Sequence, residues 1–261
     1  SAFDTPLFTG EIDRIPEKYA KILRKLLITP KFVEEAKLKY GEDSPYYRVK
    51  VLAEFPVETA SSLFKLSDID YAFRNKKVEA VGDVIITCDP ARYGEDYTVI
   101  TVWKGLKMLE LIPIRKSSTA YITQLLKNLA IQYKAVAINI DEVGLGIGIV
   151  DTLRNDGELI RTTNINGVHP QREAFNDRLY ADTRTEMFFN LKQVLEKREV
   201  YLIPSKELKN ELLAMEYTFD NEGRFKLVSK DIIKKKLGRS PDFADAVALR
   251  FASLQPRVGI Y

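Results

Sequence analysis

Apolar and polar positions follow two regimes along this chain of 261 residues, and the second is the more regular. Val84-Ile85-Ile86-Thr87-Cys88 is a continuous apolar run, as expected of a central strand buried on both faces. A turn-rich loop from Asp89 to Asp96 follows. Residues 97–104 and 108–114 predict two further strands, joined as a hairpin at Gly105-Leu106-Lys107. Residues 117–132 place Ile122, Leu125, Leu126, Leu129 and Ala130 on one helical face. Residues 135–140 predict another buried strand, ending at Asp141, and a turn with Gly144, Gly146 and Gly148 leads into a helix through Leu153. Beyond it the pattern predicts a fifth strand at 159–163 and a long amphipathic helix over 175–197. Two strands about the Asp220-Asn221-Glu222-Gly223 turn come next, within 216–228, and a last helix spans 240–254.

The first seventy-odd residues read differently. Residues 15–40 are helical in pattern, with Ile22, Leu26, Leu27, Phe32, Val33, Ala36 and Leu38 among Lys and Glu. Thr29-Pro30 is a good start for the second helix, an N-cap followed by proline at the first helical position, and Tyr40-Gly41 stops it. Ser44-Pro45-Tyr46-Tyr47, a short apolar run from Val49 to Phe55 and Pro56 follow, and no strong alternation recurs until residue 79. This divides the chain into an appendage or linker, 1–76, and an α/β domain, 77–261, with the boundary near Arg74-Asn75-Lys76-Lys77.

Composition narrows the chemistry. With 45% hydrophobic and 30% charged residues the chain is an ordinary globular one, which excludes disordered and collagen-like classes. No stretch approaches the ~20 consecutive apolar residues of a membrane helix, and Ser1 to Gly10 lack a signal-peptide pattern. The net charge of +3 announces no partner. The single histidine, His169, and single cysteine, Cys88, exclude an intrachain disulfide and a zinc site of the usual His/Cys type. A catalytic metal here must rest on carboxylates, and so be a hard cation such as Mg²⁺ or Mn²⁺.

Three acids stand where structure alone explains them poorly. Asp89 and Asp141 each follow an apolar strand, at the sheet rim where open α/β sheets bind ligands. Asp242 opens the last helix, with Asp245 one turn on and on the same face. If the two strands are adjacent and parallel, Asp89 and Asp141 converge, and close carboxylates in a partly dry site call for a cation between them. Each acid alone also suits a plainer role. Asp is a common turn residue, and Ser240-Pro241-Asp242 reads as an N-cap, a proline at the first helical position and an anion at the positive helix end.

The set has a counterpart. Asp89-Pro90-Ala91-Arg92-Tyr93-Gly94-Glu95-Asp96-Tyr97-Thr98 resembles the first nuclease motif of the large terminase subunits of tailed bacteriophages. Asp141-Glu142-Val143-Gly144-Leu145-Gly146, followed by Val150-Asp151, resembles the second, and Ser240-Pro241-Asp242-Phe243-Ala244-Asp245-Ala246 the closing one. Phe175-Asn176-Asp177-Arg178 and Ile203-Pro204 are also similar. Ile28 to Val33, Tyr40 to Ser44 and Arg48 to Pro56 resemble the stretch that links that family's ATPase motor to its nuclease. The element order (three strands, then helix–strand–helix–strand, then helices) is that of a ribonuclease H-like α/β core. The resemblance implies such a fold, a mixed sheet flanked by helices, and a metal-dependent DNA endonuclease that cuts concatemeric viral DNA during genome packaging. Its metal-binding acids map onto Asp89, Asp141 and Asp242, with Asp245 as a fourth candidate; Asp96, seven residues after Asp89, reads either as an outer ligand or simply as a turn acid. By analogy Asp89 bridges two Mg²⁺ or Mn²⁺ ions, Asp141 serves one and Asp242 or Asp245 the other. Many family members carry two adjacent acids at the start of the last helix; here there is one, so the choice between Asp242 and Asp245 stays open. The resemblance also implies double-stranded DNA as substrate, portal protein and terminase small subunit as partners, no membrane, and action in the host cytoplasm at the procapsid.

Charge by position adds a DNA contact. Residues 224–239 hold Arg224, Lys226, Lys230, Lys234, Lys235, Lys236 and Arg239 against Asp231 alone, a net +6 just before Asp242. Such a run is often a solvated face, but beside an acidic site it suits a backbone clamp for a polyanion. The glycines after Asp141 lack dinucleotide-binding spacing, and no Walker-type Gly-Lys-Ser/Thr occurs, so no ATPase activity is expected of this chain. Cys88 reads as a packed core thiol and His169 as a structural or exposed residue, with proton transfer as its alternative role. Two rival readings are another ribonuclease H-like polynucleotidyl transferase, of resolvase or integrase type, and a catalytically silent DNA-binding packaging module.

Overall fold

Each of the predicted strand-forming runs at 84–88, 97–104, 108–114 and 135–140 forms a strand, and their alternation decides which face each residue serves. A computed structural model describes residues 1–42, 45–54, 61–91 and 96–253. The chain forms two compact units, one of residues 1–60 with 218–226, the other of 61–217 with 227–261.

The first unit is helical. It holds α1 (Pro6–Thr9), α2 (Glu17–Leu26), α3 (Pro30–Tyr40) and α4 (Pro45–Lys50). The Thr29 side chain caps α3 by accepting from the Phe32 N–H at 3.2 Å. Val33 and Ala36 of the expected apolar face are buried, whereas Ile22, Leu26 and Leu38 project to solvent. The hairpin tip belongs here: Lys50 donates to the Glu222 carbonyl, and Arg224 Nε bonds Asp220 Oδ2 at 2.7 Å.

The second unit begins with a two-residue strand, β1 (Ser61–Ser62), and α5 (Leu66–Arg74), so the polar stretch 74–77 lies inside this unit. Its main sheet comprises β2 (Val84–Asp89), β3 (Thr98–Lys104), β4 (Lys107–Ile114), β5 (Ala137–Asp141) and β6 (Asn164–Val168), in the order β4-β3-β2-β5-β6. β2, β3 and β4 are antiparallel neighbours; β5 runs parallel to both β2 and β6. This is the ribonuclease H-like mixed sheet, flanked by helices.

Side chains alternate across a strand, so each face has its own cover. Ile86, Cys88, Ile138 and Ile140 face α6 (Thr119–Tyr133) and α7 (Leu145–Arg154), where Ile122, Leu126, Ile149 and Val150 complete a dry core. On the other face Thr87 Oγ1 donates to the Ala246 carbonyl at 2.6 Å and Asn139 Nδ2 to the Leu249 carbonyl at 3.0 Å. These hold α11 (Asp242–Ala248), a short helix buried along its whole length. Its alanines at 244, 246 and 248 let the backbone come close enough for the Thr87 bond. Around it lie α8 (Thr183–Glu196), α9 (Lys206–Ala214) and α10 (Lys230–Leu237), and the hairpin strands are β7 (Glu216–Phe219) and β8 (Phe225–Leu227).

Three expectations shift. Leu159–Arg161 is a 3₁₀ turn and the fifth strand is Asn164–Val168, because Asp156 Oδ1 accepts from the N–H groups of Glu158 and Leu159 and winds that apolar run. The helix expected from 175 starts at Thr183, capped by Asp182. Glu186 takes the N–H groups of Phe175 and Asn176, holding those residues in a loop. The last helix spans seven residues and ends in a 3₁₀ turn, Leu249–Phe251; Leu254 lies outside the described residues.

Candidate functional site

Register brings the strand-end acids together. Cys88 pairs with Ile140 across the parallel β2–β5 ladder, so Asp89 and Asp141 are the next residues on neighbouring strands. Period-two alternation places both on the face of Thr87 and Asn139, which is the face α11 covers. Asp242 and Asp245, in the first turn of α11, complete an acidic cluster against the rim. Residues 92–95 of the first motif lie outside the described residues.

Each carboxylate has its own partners. Asp141 Oδ1 accepts from the Val143 N–H at 3.0 Å, which turns the chain toward α7. The glycine after the turn is required: a Cβ on Gly146 would lie 1.7 Å from the Asp141 carbonyl oxygen. Asp242 Oδ2 accepts from the Tyr97 N–H at 2.8 Å. Asp245 is held by two cations, Arg184 Nε at 3.0 Å and Lys230 Nζ at 2.8 Å.

Electrostatics separates the four. Burial, with the neighbouring carboxylates, pushes Asp89 well above the ordinary carboxyl range. Burial likewise raises Asp141 and Asp242 to about 6 each. Burial opposes ionisation of Asp245 too, but Arg184 and Lys230 outweigh it and hold this carboxyl below its ordinary value. Asp245, doubly ion-paired, is the anchor of the two cations. Asp89, Asp141 and Asp242 are the acids that lack sufficient positive charge.

The basic run divides. Lys230, a partly exposed side chain, lies beside the acidic cluster, its ammonium pKa raised by Asp245 foremost and by Asp89. Lys234 pairs with Asp96 Oδ2 at 3.4 Å, and Lys236 with Glu216 Oε2 at 2.5 Å. Arg239 pairs with Glu211 Oε1 at 2.6 Å. For Lys235 no ion pair is present among the described residues. Arg224 and Lys226 belong to the other compact unit. Asp96 also accepts from the Ser240 N–H at 3.4 Å. These bonds tie α10 to the start of α11 and, against the opposing effect of burial, keep Asp96 below its ordinary pKa.

Several contributors escaped the sequence pattern. Glu211 is fully buried; it accepts from the Ala244 N–H at 2.7 Å and so fixes the turn that carries Asp242 and Asp245. Burial, foremost, raises its pKa to about 8. The available signal was an acid on the apolar stripe Leu208, Glu211, Leu212 of α9. Arg184 carried no such signal. Cys88 is a buried free thiol whose pKa burial raises. His169 follows β6 and lines a cleft of about 760 Å³ with Glu142, Arg154, Asn166 and Arg172.

The donor set suits a hard divalent cation: three under-compensated carboxylates, with Cys88 on the opposite face of its strand. Among the described residues no three acid, histidine or cysteine side chains stand close enough together, as oriented, to ligate one ion. Lys230 supplies the counter-charge in this arrangement, drawing down the pKa of Asp89, Asp141 and Asp242 alike.

Residues 86–254 match the profile of a family described as the terminase RNaseH-like domain. No curated protein matches the chain. Among solved structures, the nuclease domain of the large terminase subunit gp2 of bacterial virus Sf6 superposes with a TM-score of 0.66 at 19% identity, covering 75% of this chain and 100% of that one. A mutant of the same domain with manganese and β-thujaplicinol gives 0.66 at 18% identity and the same coverage. The large terminase nuclease from thermophilic phage G20c gives 0.50 at 17% identity, covering 72% of this chain and 96% of that one. At these identities the likeness shows a shared fold.

Proposed function

This chain belongs to the terminase RNaseH-like domain family, and from that premise we propose that it is a metal-dependent endonuclease acting on double-stranded DNA during viral genome packaging. The observation that carries the reading is the meeting of Asp89, Asp141 and Asp242 at one sheet rim, short of positive charge, with Asp89 and Asp242 buried and Asp141 partly so. These three would hold Mg²⁺ or Mn²⁺, drawing together by side-chain rotation, with a pair of ions as the family resemblance implies. Once bound, the metal would supply an activated water and charge stabilisation for the leaving oxygen of the scissile phosphodiester. The manganese complex of the Sf6 domain supports that choice of ion.

The chain's own residues do the rest. Asp141, fixed through the Val143 N–H on Oδ1, and Asp242, fixed through the Tyr97 N–H on Oδ2, would each offer the second carboxylate oxygen to the ion. Asp245, which also pairs with Arg184, secures Lys230 beside them, where its ammonium balances the acids before the metal arrives. The remaining lysines of α10 and Arg239 meet the DNA backbone. Their exposed ion pairs with Asp96 and Glu216 are weak enough for phosphates to displace. The packaging setting makes portal protein and terminase small subunit the expected partners and host cytoplasm the site of action. No helix among the described residues is long and apolar enough to cross a membrane.

One observation favours a second reading, a catalytically silent DNA-binding module: among the described residues no three donors stand at ligating distance. Supercoiled plasmid incubated with Mn²⁺, Mg²⁺ or chelator separates the two, wild type beside Asp89→Asn. Metal-dependent nicking and linearisation that Asp89→Asn abolishes are the expected result. Cutting that survives both chelator and mutation would sink the carboxylate–metal mechanism, and binding with no cutting in any metal would favour the silent module.

A further inference from the structure

The rim that carries the acids continues across the antiparallel half of the sheet. Asp89 pairs with Val99 of β3, and Thr98 pairs with Ile114 of β4. Tyr97 and Arg115 are the next residues outward on those strands, so both emerge at the edge where Asp89 ends β2. There the Arg115 guanidinium lies over the Tyr97 ring, 4.2 Å from its centre. Tyr97 is itself fixed twice, by its N–H on Asp242 Oδ2 at 2.8 Å and by an edge-on contact with Phe243 at 5.4 Å.

A second arginine reaches the same place from the other side. Gly238 ends α10 in the left-handed conformation, φ +74°, and turns the chain back. Arg239 then lies 5.7 Å from the Tyr97 ring centre and 5.5 Å from that of Phe243. Arg115, Leu237, Gly238 and Arg239 line a pocket of about 260 Å³.

Two guanidinium groups converging on one pocket repel unless an anion lies between them. Arg239 has Glu211 as a partner at 2.6 Å. Arg115 is exposed and has no carboxylate partner among the described residues. Stacking on Tyr97 pre-orients its planar fork and leaves the N–H edge free, the geometry that grips phosphate oxygens two at a time. Tyr97 links the two places, its ring carrying the arginines and its backbone N–H bonding Asp242.

We propose that Arg115 and Arg239, braced on Tyr97 and Phe243, bind a backbone phosphate adjacent to the scissile one and so set where along the strand the carboxylates act. The inference rests on the endonuclease reading and adds a positioning subsite to it. A free phosphate offers the same chemistry, and the test separates the two.

Binding of a short DNA duplex is measured in chelator between about 50 and 200 mM salt, the range where counterion release is well resolved. Wild type is compared with Arg115→Ala, Arg115→Lys and Arg161→Ala. Arg161 precedes β6 and so lies at the opposite edge of the sheet from the acids. Arg115→Ala is expected to weaken binding about tenfold, the lower bound for a charge-assisted hydrogen bond. It should also lower the slope of log affinity against log salt by about 0.9, the loss of one phosphate contact. Arg115→Lys should keep the slope and recover part of the affinity, and Arg161→Ala should change neither. In Mn²⁺, Arg115→Ala should raise KM for plasmid cutting with kcat little changed. An Arg115→Ala slope and affinity matching those of Arg161→Ala would overturn the subsite. So would inorganic phosphate binding that depends on Arg115 while duplex binding does not. A wild type that neither binds nor cuts DNA would instead remove the endonuclease reading itself.

Discussion

Replacing Asp242 by Asn removes a charge that the fold holds at a cost, and so should stabilise the protein while destroying its activity. Asp242 is 3% exposed, and burial is the main reason its pKa rises from 3.8 to about 6. At 1.36 kcal/mol per pKa step, that rise amounts to about 3 kcal/mol. The sign follows from linkage: the fold prefers the protonated acid, so its ionisation opposes folding. Below about pH 3.8 the group is neutral in both states and contributes nothing; above about pH 6 it is charged in both, and the full penalty applies. Asn keeps an oxygen to accept from the Tyr97 N–H and carries no charge at any pH. In chelator at pH 8, Asp242→Asn should therefore melt higher than wild type by about 6–12 °C, taking 2–4 °C per kcal/mol for a domain of this size. The gap should close between pH 6 and pH 4. Differential scanning calorimetry across pH, with and without Mn²⁺, provides the measurement. Mn²⁺ should raise the wild-type midpoint at pH 8 and move the variant much less, because the ion binds the folded state through this carboxylate. A variant no more stable than wild type at pH 8, or a gap that does not depend on pH, would refute the argument from buried charge.

Two further substitutions probe the surroundings of the acids. Lys230→Met removes the cation that opposes Asp89, Asp141 and Asp242 together. In urea unfolding at pH 8 in chelator it should cost about 1 kcal/mol, the scale for a lysine whose side chain is 43% exposed, shrinking toward pH 5 as the acids protonate, and an unchanged midpoint would remove Lys230 from the cluster. Gly146→Ala forces a methyl group to within 1.7 Å of the Asp141 carbonyl oxygen, whereas Gly148, in the same helix, faces open space. Gly146→Ala should lose about 3 kcal/mol and most cleavage, while Gly148→Ala should gain about 0.5–1 kcal/mol; equal effects would contradict the packing.

Local pattern was enough for most elements because their apolar residues recur with the period of the structure they form. The runs at Val84 and Ala135 are largely apolar and read as buried strands, and the Gly105-Leu106-Lys107 hairpin follows from turn chemistry alone. It failed where a side chain took the backbone's hydrogen bonds, as Asp156 does for Leu159 three residues on and Glu186 does for Phe175 and Asn176 upstream of it. The exposed Ile22, Leu26 and Leu38 show the converse limit, since helical periodicity marks an apolar face without saying what covers it.

The sequence by itself determined which residue types were available for chemistry. One histidine and one cysteine leave carboxylates as the donors, and the acids at 89, 141 and 242 can be named from the strands and helix they terminate or begin. Only the tertiary structure decided their relations. Register makes Asp89 and Asp141 neighbours, the Thr87 and Asn139 bonds lay α11 across them, and Arg184 with Lys230 sets Asp245 apart from Asp242. The physical reason is that ionisation at a buried site depends on the sum of charges and dipoles around it. Arg184 reaches Asp245 from α8, 61 positions away in the chain, and Lys230 from the preceding helix α10, and no spacing along the sequence encodes that sum.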